Sequence, residues 1–230
     1  MNTPVAVEYR PNLSENHYDI RAEMHTRELQ LLAHLRQAAE IHDPDSVSHM
    51  LRMSQYAHLI ARGLGLNYEQ QEVVLAAAPL HDIGKIGVPD AILKKRGPLD
   101  EIEQVVARRH VRHGHAILRH STSSLVVSAA EIALRHHERF DGTGYPDGLS
   151  GEAIPLYARI AAVADVFDAL TSHRPHRPAV DADQALDHLR SQRGTHFDPD
   201  CVDAFIAEER RIRDIRIRYR DPCELNLTGN

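Results

Sequence analysis

A histidine and an aspartate stand side by side, His81-Asp82, at the end of the apolar run Val73-Val74-Leu75-Ala76-Ala77-Ala78. No other stretch restricts the fold as much. An apolar helix carries its end into the core, and a buried imidazole and carboxylate without partners are costly there. Other polar side chains must therefore come to meet them. Imidazole and carboxylate together suit transition ions such as Fe, Mn or Zn, so an ion is one way to satisfy the pair. A second pair, His42-Asp43, precedes Pro44, where a helix is disfavoured, and is expected at the surface. Only three lysines occur, and one of them, Lys85, follows His81-Asp82 directly.

The rest of the chain reads as helices. Residues 1–16 are polar and aperiodic and read as a mobile leader. From His17 to Ile41, Leu29, Leu32 and Leu35 form one stripe that packs on the body or pairs with a partner or second copy, core packing being the simpler reading. Asp45 or Ser46 can cap a helix with His49, Met53, Tyr56 and Ile60, and Asn67 with Gln70 has the form of a capping box for the helix that ends at His81. Pro79 should bend that helix just before its end. Leu99 to His120 reads as a single helix with Ile102, Val105, Val106, Ile117 and Leu118 inward and His110 on it, and Leu125 to Phe140 as another leading to His136-His137. The segment Asp141 to Pro155 is rich in Gly, Pro and Asp and cannot be helical. Pro155 opens a helix whose run Ile160 to Ala164 is apolar nearly all round, which makes it the central buried helix, with Asp165 inside that apolar surrounding. Asp181 and Asp198 are candidate caps for two further helices. Arg210 to Arg220 alternates Arg with Ile or Tyr and is left between an edge strand and a solvated tail. With strand signals weak elsewhere, the expected class is all-α.

Composition removes several functions. A net charge of −6 argues against a nucleic-acid polymer or a membrane surface as partner, while leaving room for a locally basic pocket. No apolar run approaches the roughly 20 residues that span a bilayer. Two cysteines, Cys201 and Cys223, are too few for a disulfide framework, and a reduced cytoplasmic setting fits them.

His49 with Asp45 one turn before it, His81-Asp82, His110, His136-His137 and Asp165 each fall on or at the end of an apolar helix, where a lone polar group is out of place. Their convergence would make one buried site with ligands enough for two or three octahedral ions. Paired ions can hold a bridging hydroxide as nucleophile and stabilise a leaving oxygen, which points to phosphoester hydrolysis. His113, His115 and His120 share a helix with His110 but are offset from its face and are read as surface histidines.

Taken together, His81-Asp82-Ile83-Gly84-Lys85, His110 with Gly114, His136-His137-Glu138-Arg139, Asp141-Gly142-Thr143-Gly144-Tyr145-Pro146 and Asp165 to Thr171 resemble the HD-GYP family, cyclic di-GMP phosphodiesterases of the HD superfamily. The resemblance implies an HD-superfamily helical bundle over 42–209, flanked by the 17–41 helix and an Arg-rich tail, 210–230. It implies a buried centre of two divalent ions, iron or manganese, with a third where Asp45 stands in place of the Glu of three-metal members. The implied ligands are His49, His81, Asp82, His110, His136, His137 and Asp165, with Asp45 for the third ion. Lys85 and Asp82 would be catalytic. Lys85, Gly144, Tyr145, Arg174 and Arg177 would hold substrate, with His176 where the family has an aromatic residue. The expected reaction is hydrolysis of cyclic di-GMP to linear pGpG or GMP through a metal-bridging hydroxide. Its rivals are another, mixed cyclic dinucleotide as substrate, or a dinucleotide-binding signalling module with little turnover.

Overall fold

The computed structural model describes residues 26–39, 47–173 and 178–221. A helical segment, α1, covers 26–39. It is followed by α2 (Val47–Gly63), α3 (Tyr68–Ala77), α4 (Asp90–Leu93), α5 (Glu101–Ala107), α6 (His110–Leu118) and α7 (Ser124–Arg135). After a long loop come α8 (Leu156–Thr171), α9 (Ala182–Ser191), α10 (Pro199–Ile206) and α11 (Glu209–Arg218). Among the described residues there is no strand, only an isolated bridge between Arg193 and Phe197, so the all-α expectation holds.

The bundle forms around α8. Ile160, Ala161, Val163 and Ala164 are fully buried, as the unbroken apolar run required. Helices α2, α7, α9 and α10 pack against it. Tyr56, Phe167 and Phe205 meet edge to face, with ring centroids 5.0 to 5.6 Å apart, and tie α2, α8 and α10 together. Leu32 of α1 is also in this core, in keeping with core packing for that stripe.

Local signals placed the helix ends. The Asn67 side chain accepts from the Gln70 amide and the Gln70 side chain from the Asn67 amide. Asp181 and Asp198 cap α9 and α10. At Pro79 the chain tightens into a 3₁₀ turn, Ala78–Leu80, and a second one, Ile83–Gly87, follows His81-Asp82.

Two expectations are corrected. The single helix over 99–120 is two helices, broken at Arg108-Arg109. Helix α5 is fixed by its own capping box, Asp100 with Glu103, and buries none of its residues, so Ile102 and Val105 face solvent, as does Ile117 of α6, another residue expected inward. The segment 210–220 is helical through Arg218, neither strand nor solvated tail. Ile212 is buried and Ile215 packs on the core three residues later, a helical spacing that the Arg-Ile alternation concealed.

Candidate metal centre

Every expected ligand within the described residues arrives at one place. Asp82, His110, His136 and His137 form one group and His49, His81 and Asp165 a second, each with ligand atoms within 4.8 Å of one another. Asp82 stands between them. Its Oδ2 lies 3.2 Å from His81 Nε2, and its Oδ1 lies 3.2 Å from His110 Nε2 and 3.6 Å from His136 Nε2. Asp165 Oδ1 approaches His81 Nε2 to 3.7 Å from the other side. Asp45, Arg174, His176 and Arg177, and the His42-Asp43 pair, lie outside the described residues.

The imidazoles are oriented for ligation. Nδ1 of His81, His110 and His136 sits 3.1, 2.8 and 3.1 Å from the carbonyls of Ala78, Ala107 and Ile132. A carbonyl only accepts, so each Nδ1 carries a proton and each Nε2 is the atom aimed into the cluster, where in His81 it gains its lone pair once its own proton leaves. The break between α5 and α6 is what allows His110 to lean on Ala107. His49 is braced differently, donating from Nδ1 to Asp168 Oδ2 at 2.7 Å. Asp168 is fully buried and also accepts from Arg52 Nε at 2.5 Å, Arg52 Nη2 at 3.0 Å and Ser172 Oγ at 3.1 Å.

The residues fit divalent metal. Nε2 of His81, His110 and His136 and Oδ1 of Asp82 are buried without a hydrogen-bond partner among the described residues. Each such atom costs about 1–3 kcal/mol if left so. Four in one cluster of nitrogen and oxygen donors have their simplest common partner in a cation. Protonation divides the imidazoles. Burial, reinforced by the charge of His81, holds His136 below the usual imidazole range, and burial with His136 alongside holds His137 well below it. Burial also opposes the charge on His81, but Asp82 and Asp165 outweigh it and raise His81 to about 9. Burial would push Asp82 up; Lys85 and the surrounding imidazoles outweigh it and keep the carboxyl well below its ordinary value.

Lys85 Nζ bonds Asp82 Oδ2 at 2.9 Å. It is held there by an unusually close backbone contact: a Cβ on Gly84 would lie 2.0 Å from the His110 carbonyl oxygen and 2.3 Å from the Gly114 nitrogen. Lys85 also borders a cleft of about 300 Å³ with an apolar wall of Val88, Ile92, Leu93 and Leu99, and His110, Arg108 and Tyr145 along its rim. The Tyr145 ring stacks on His137 with centroids 4.8 Å apart, and the Arg108 guanidinium lies 4.9 Å from the Tyr145 centroid. Gly144 makes this possible, since a Cβ there would come within 2.6 Å of the His137 carbonyl oxygen. The Glu138 carboxylate, buried beneath the loop, accepts from the amides of Asp147 and Leu149 and from Arg135.

Sequence reasoning gave no role to Asp168, Arg52 or Glu138. A signal existed: Arg52 follows His49 by three residues and Asp168 follows Asp165 by three, so each polar partner shares a helix face with a ligand.

A family description for the HD domain matches residues 33–201. The chain is 50% identical over 193 residues, 84% of its length, to the cyclic di-GMP phosphodiesterase response regulator RpfG of Xanthomonas campestris, and spans 51% of that protein. It is 35% identical over 198 residues to a 3'3'-cGAMP-specific phosphodiesterase of Vibrio cholerae, covering 86% of this chain and 38% of that one. It thus spans about half the length, or less, of these curated relatives. Among solved structures, a cyclic GMP-AMP-specific phosphodiesterase of V. cholerae superposes with a TM-score of 0.61 at 21% identity, over 84% of this chain and 53% of that one, a likeness of fold. No helix among the described residues is long and apolar enough to cross a membrane.

Proposed function

The chain belongs to the HD domain family, and from that premise we propose that its buried cluster is the active centre of a metal-dependent phosphodiesterase that hydrolyses cyclic di-GMP to linear pGpG or GMP. One observation carries the reading. Side chains from α2, α6, α8 and the ends of α3 and α7 gather around Asp82, with Nε2 of His81, His110 and His136 buried and partnerless among the described residues, beside a cleft edged by Lys85 and Tyr145. Iron or manganese suits this mixture of imidazole and carboxylate. Two ions are expected, with Asp45 positioned in sequence for a third. When bound they would supply the activated water and charge stabilisation of phosphoester cleavage.

The chain's own residues account for the rest. Asp82 presents one oxygen to each ligand group, so it sets their separation. Lys85, a compact cation beside it, would neutralise charge developing on the phosphoryl oxygens. Tyr145, held over His137, and the apolar wall of the cleft would seat a base of the dinucleotide, while Arg174 and Arg177 would meet phosphate or the second base. Cytoplasmic action on a soluble messenger, and a signalling partner or second copy at the 17–41 helix, belong to the same proposal.

Metal-loaded protein incubated with cyclic di-GMP should release pGpG or GMP, followed by chromatography. Intact substrate with both iron and manganese would overturn the reading. Parallel assays on 3'3'-cGAMP, the dinucleotide in the name of a relative 35% identical, should show cyclic di-GMP to be the preferred substrate.

A further inference from the structure

The arginine run of α11 is not used by the metal centre. Arg213 and Arg216 stand three apart on one face of α11, and Arg220 lies two residues beyond its end. All three line, with Arg52, Ser172 and Ile217, a cavity of about 270 Å³. Four guanidinium groups around one small space, in a chain of net charge −6, repel one another unless each is compensated.

Two of them are. Arg52 is held by Asp168, with Asp221 at 3.3 Å, and Arg213 by Glu209 and Asp183. Arg216 bonds only the Thr171 carbonyl, at 3.0 Å, and neither it nor Arg220 has a carboxylate within ion-pair distance among the described residues. Among the described residues, two positive charges at the cavity are therefore left without a carboxylate. A phosphate monoester carries about −1.5 to −2 at neutral pH and presents three acceptor oxygens, which matches two forked guanidinium donors in charge and geometry. The volume lies just under the common range for small-molecule sites, roughly 300–1,000 Å³, and suits a compact solute. A nucleic-acid polymer would need an extended basic track, and the overall negative charge opposes one.

We propose that this cavity is a second, anion-binding site, separate from the metal centre, that takes the terminal phosphate of a small phosphate monoester. The reading is independent of the phosphodiesterase assignment. Arg52 forms a wall of the cavity and also holds Asp168, the carboxylate that orients His49, so the two sites share one residue.

The test is titration calorimetry of the metal-loaded full chain at low ionic strength, with inorganic phosphate and with GMP as probes. Arg216→Ala/Arg220→Ala should bind one equivalent fewer than the unaltered protein, or bind it at least tenfold more weakly. Arg216→Lys/Arg220→Lys, which keeps charge but loses the fork, should weaken it severalfold. GMP binding more tightly than phosphate at this site identifies a nucleotide ligand; equal affinity identifies the phosphate group alone. Should the alanine variant retain the unaltered stoichiometry and affinity for both probes while melting at an unchanged temperature, no such site exists.

Discussion

The histidines of the candidate centre are held in place by two different means. His81, His110 and His136 rest on carbonyls three or four residues back along the chain. His49 is held by Asp168, 119 residues further along, and Asp168 is itself held by Arg52 and Ser172. A helical turn supplies the first kind of support from its own stretch of chain, because a carbonyl has two lone pairs and can accept from a ring as well as from a backbone amide. The second kind exists only after α2 and α8 have packed. The bracing of His81, His110 and His136 is thus a local property of the chain and that of His49 a product of tertiary structure, with Asp82 placed between the two groups.

The comparison can be broken in order of expected effect. Asp82→Ala removes the shared ligand, so both groups should lose metal and turnover should fall by on the order of 10³; metal analysis showing one ion still bound would mean that Asp82 does not join them. Asp168→Asn leaves the shape and removes the anionic acceptor of His49. It should cost the His49 group about 10- to 100-fold in metal affinity and leave the Asp82-His110-His136-His137 group nearly unchanged. Equal loss from both would erase the distinction.

Acidity sharpens the same contrast. In the metal-free protein His81, raised to about 9, carries a proton at pH 7, whereas His136 and His137, held low, do not. Loading the His49-His81-Asp165 group must release that proton, so its affinity should climb as pH rises from 7 towards 9, by roughly tenfold per unit. The other group should change little over that interval, as potentiometric metal titration can verify. The smallest effect is expected at Glu138→Gln. It loosens the loop bearing Tyr145 without touching a ligand, so KM should rise a few fold with kcat almost constant.

The same division explains what the sequence made legible. His81-Asp82, His136-His137 and Asp165 could be found because each follows an apolar stretch, where a polar group is conspicuous, and His110 because it begins a helix with apolar positions. The caps at Asn67, Asp181 and Asp198, and the central helix, were equally local and equally readable. Asp168 was hidden because its partners lie on another helix more than a hundred residues away, and Arg52 because an arginine on a helix is usually solvated. Helix α5 misled for the opposite reason: Ile102 and Val105 look like core residues, and only tertiary packing could leave them in water.

The backbone contact at Gly84 has a consequence for how such a protein can change over generations. Main chain rests on main chain there, between Asp82 and Lys85 on one side and His110 on the other. The interval between carboxylate, ammonium and imidazole is therefore gauged by peptide groups, which mutation cannot resize. Methylenes elsewhere in the bundle can be gained and lost by drift while that gauge keeps its setting, and a single methyl at residue 84 is enough to spoil it.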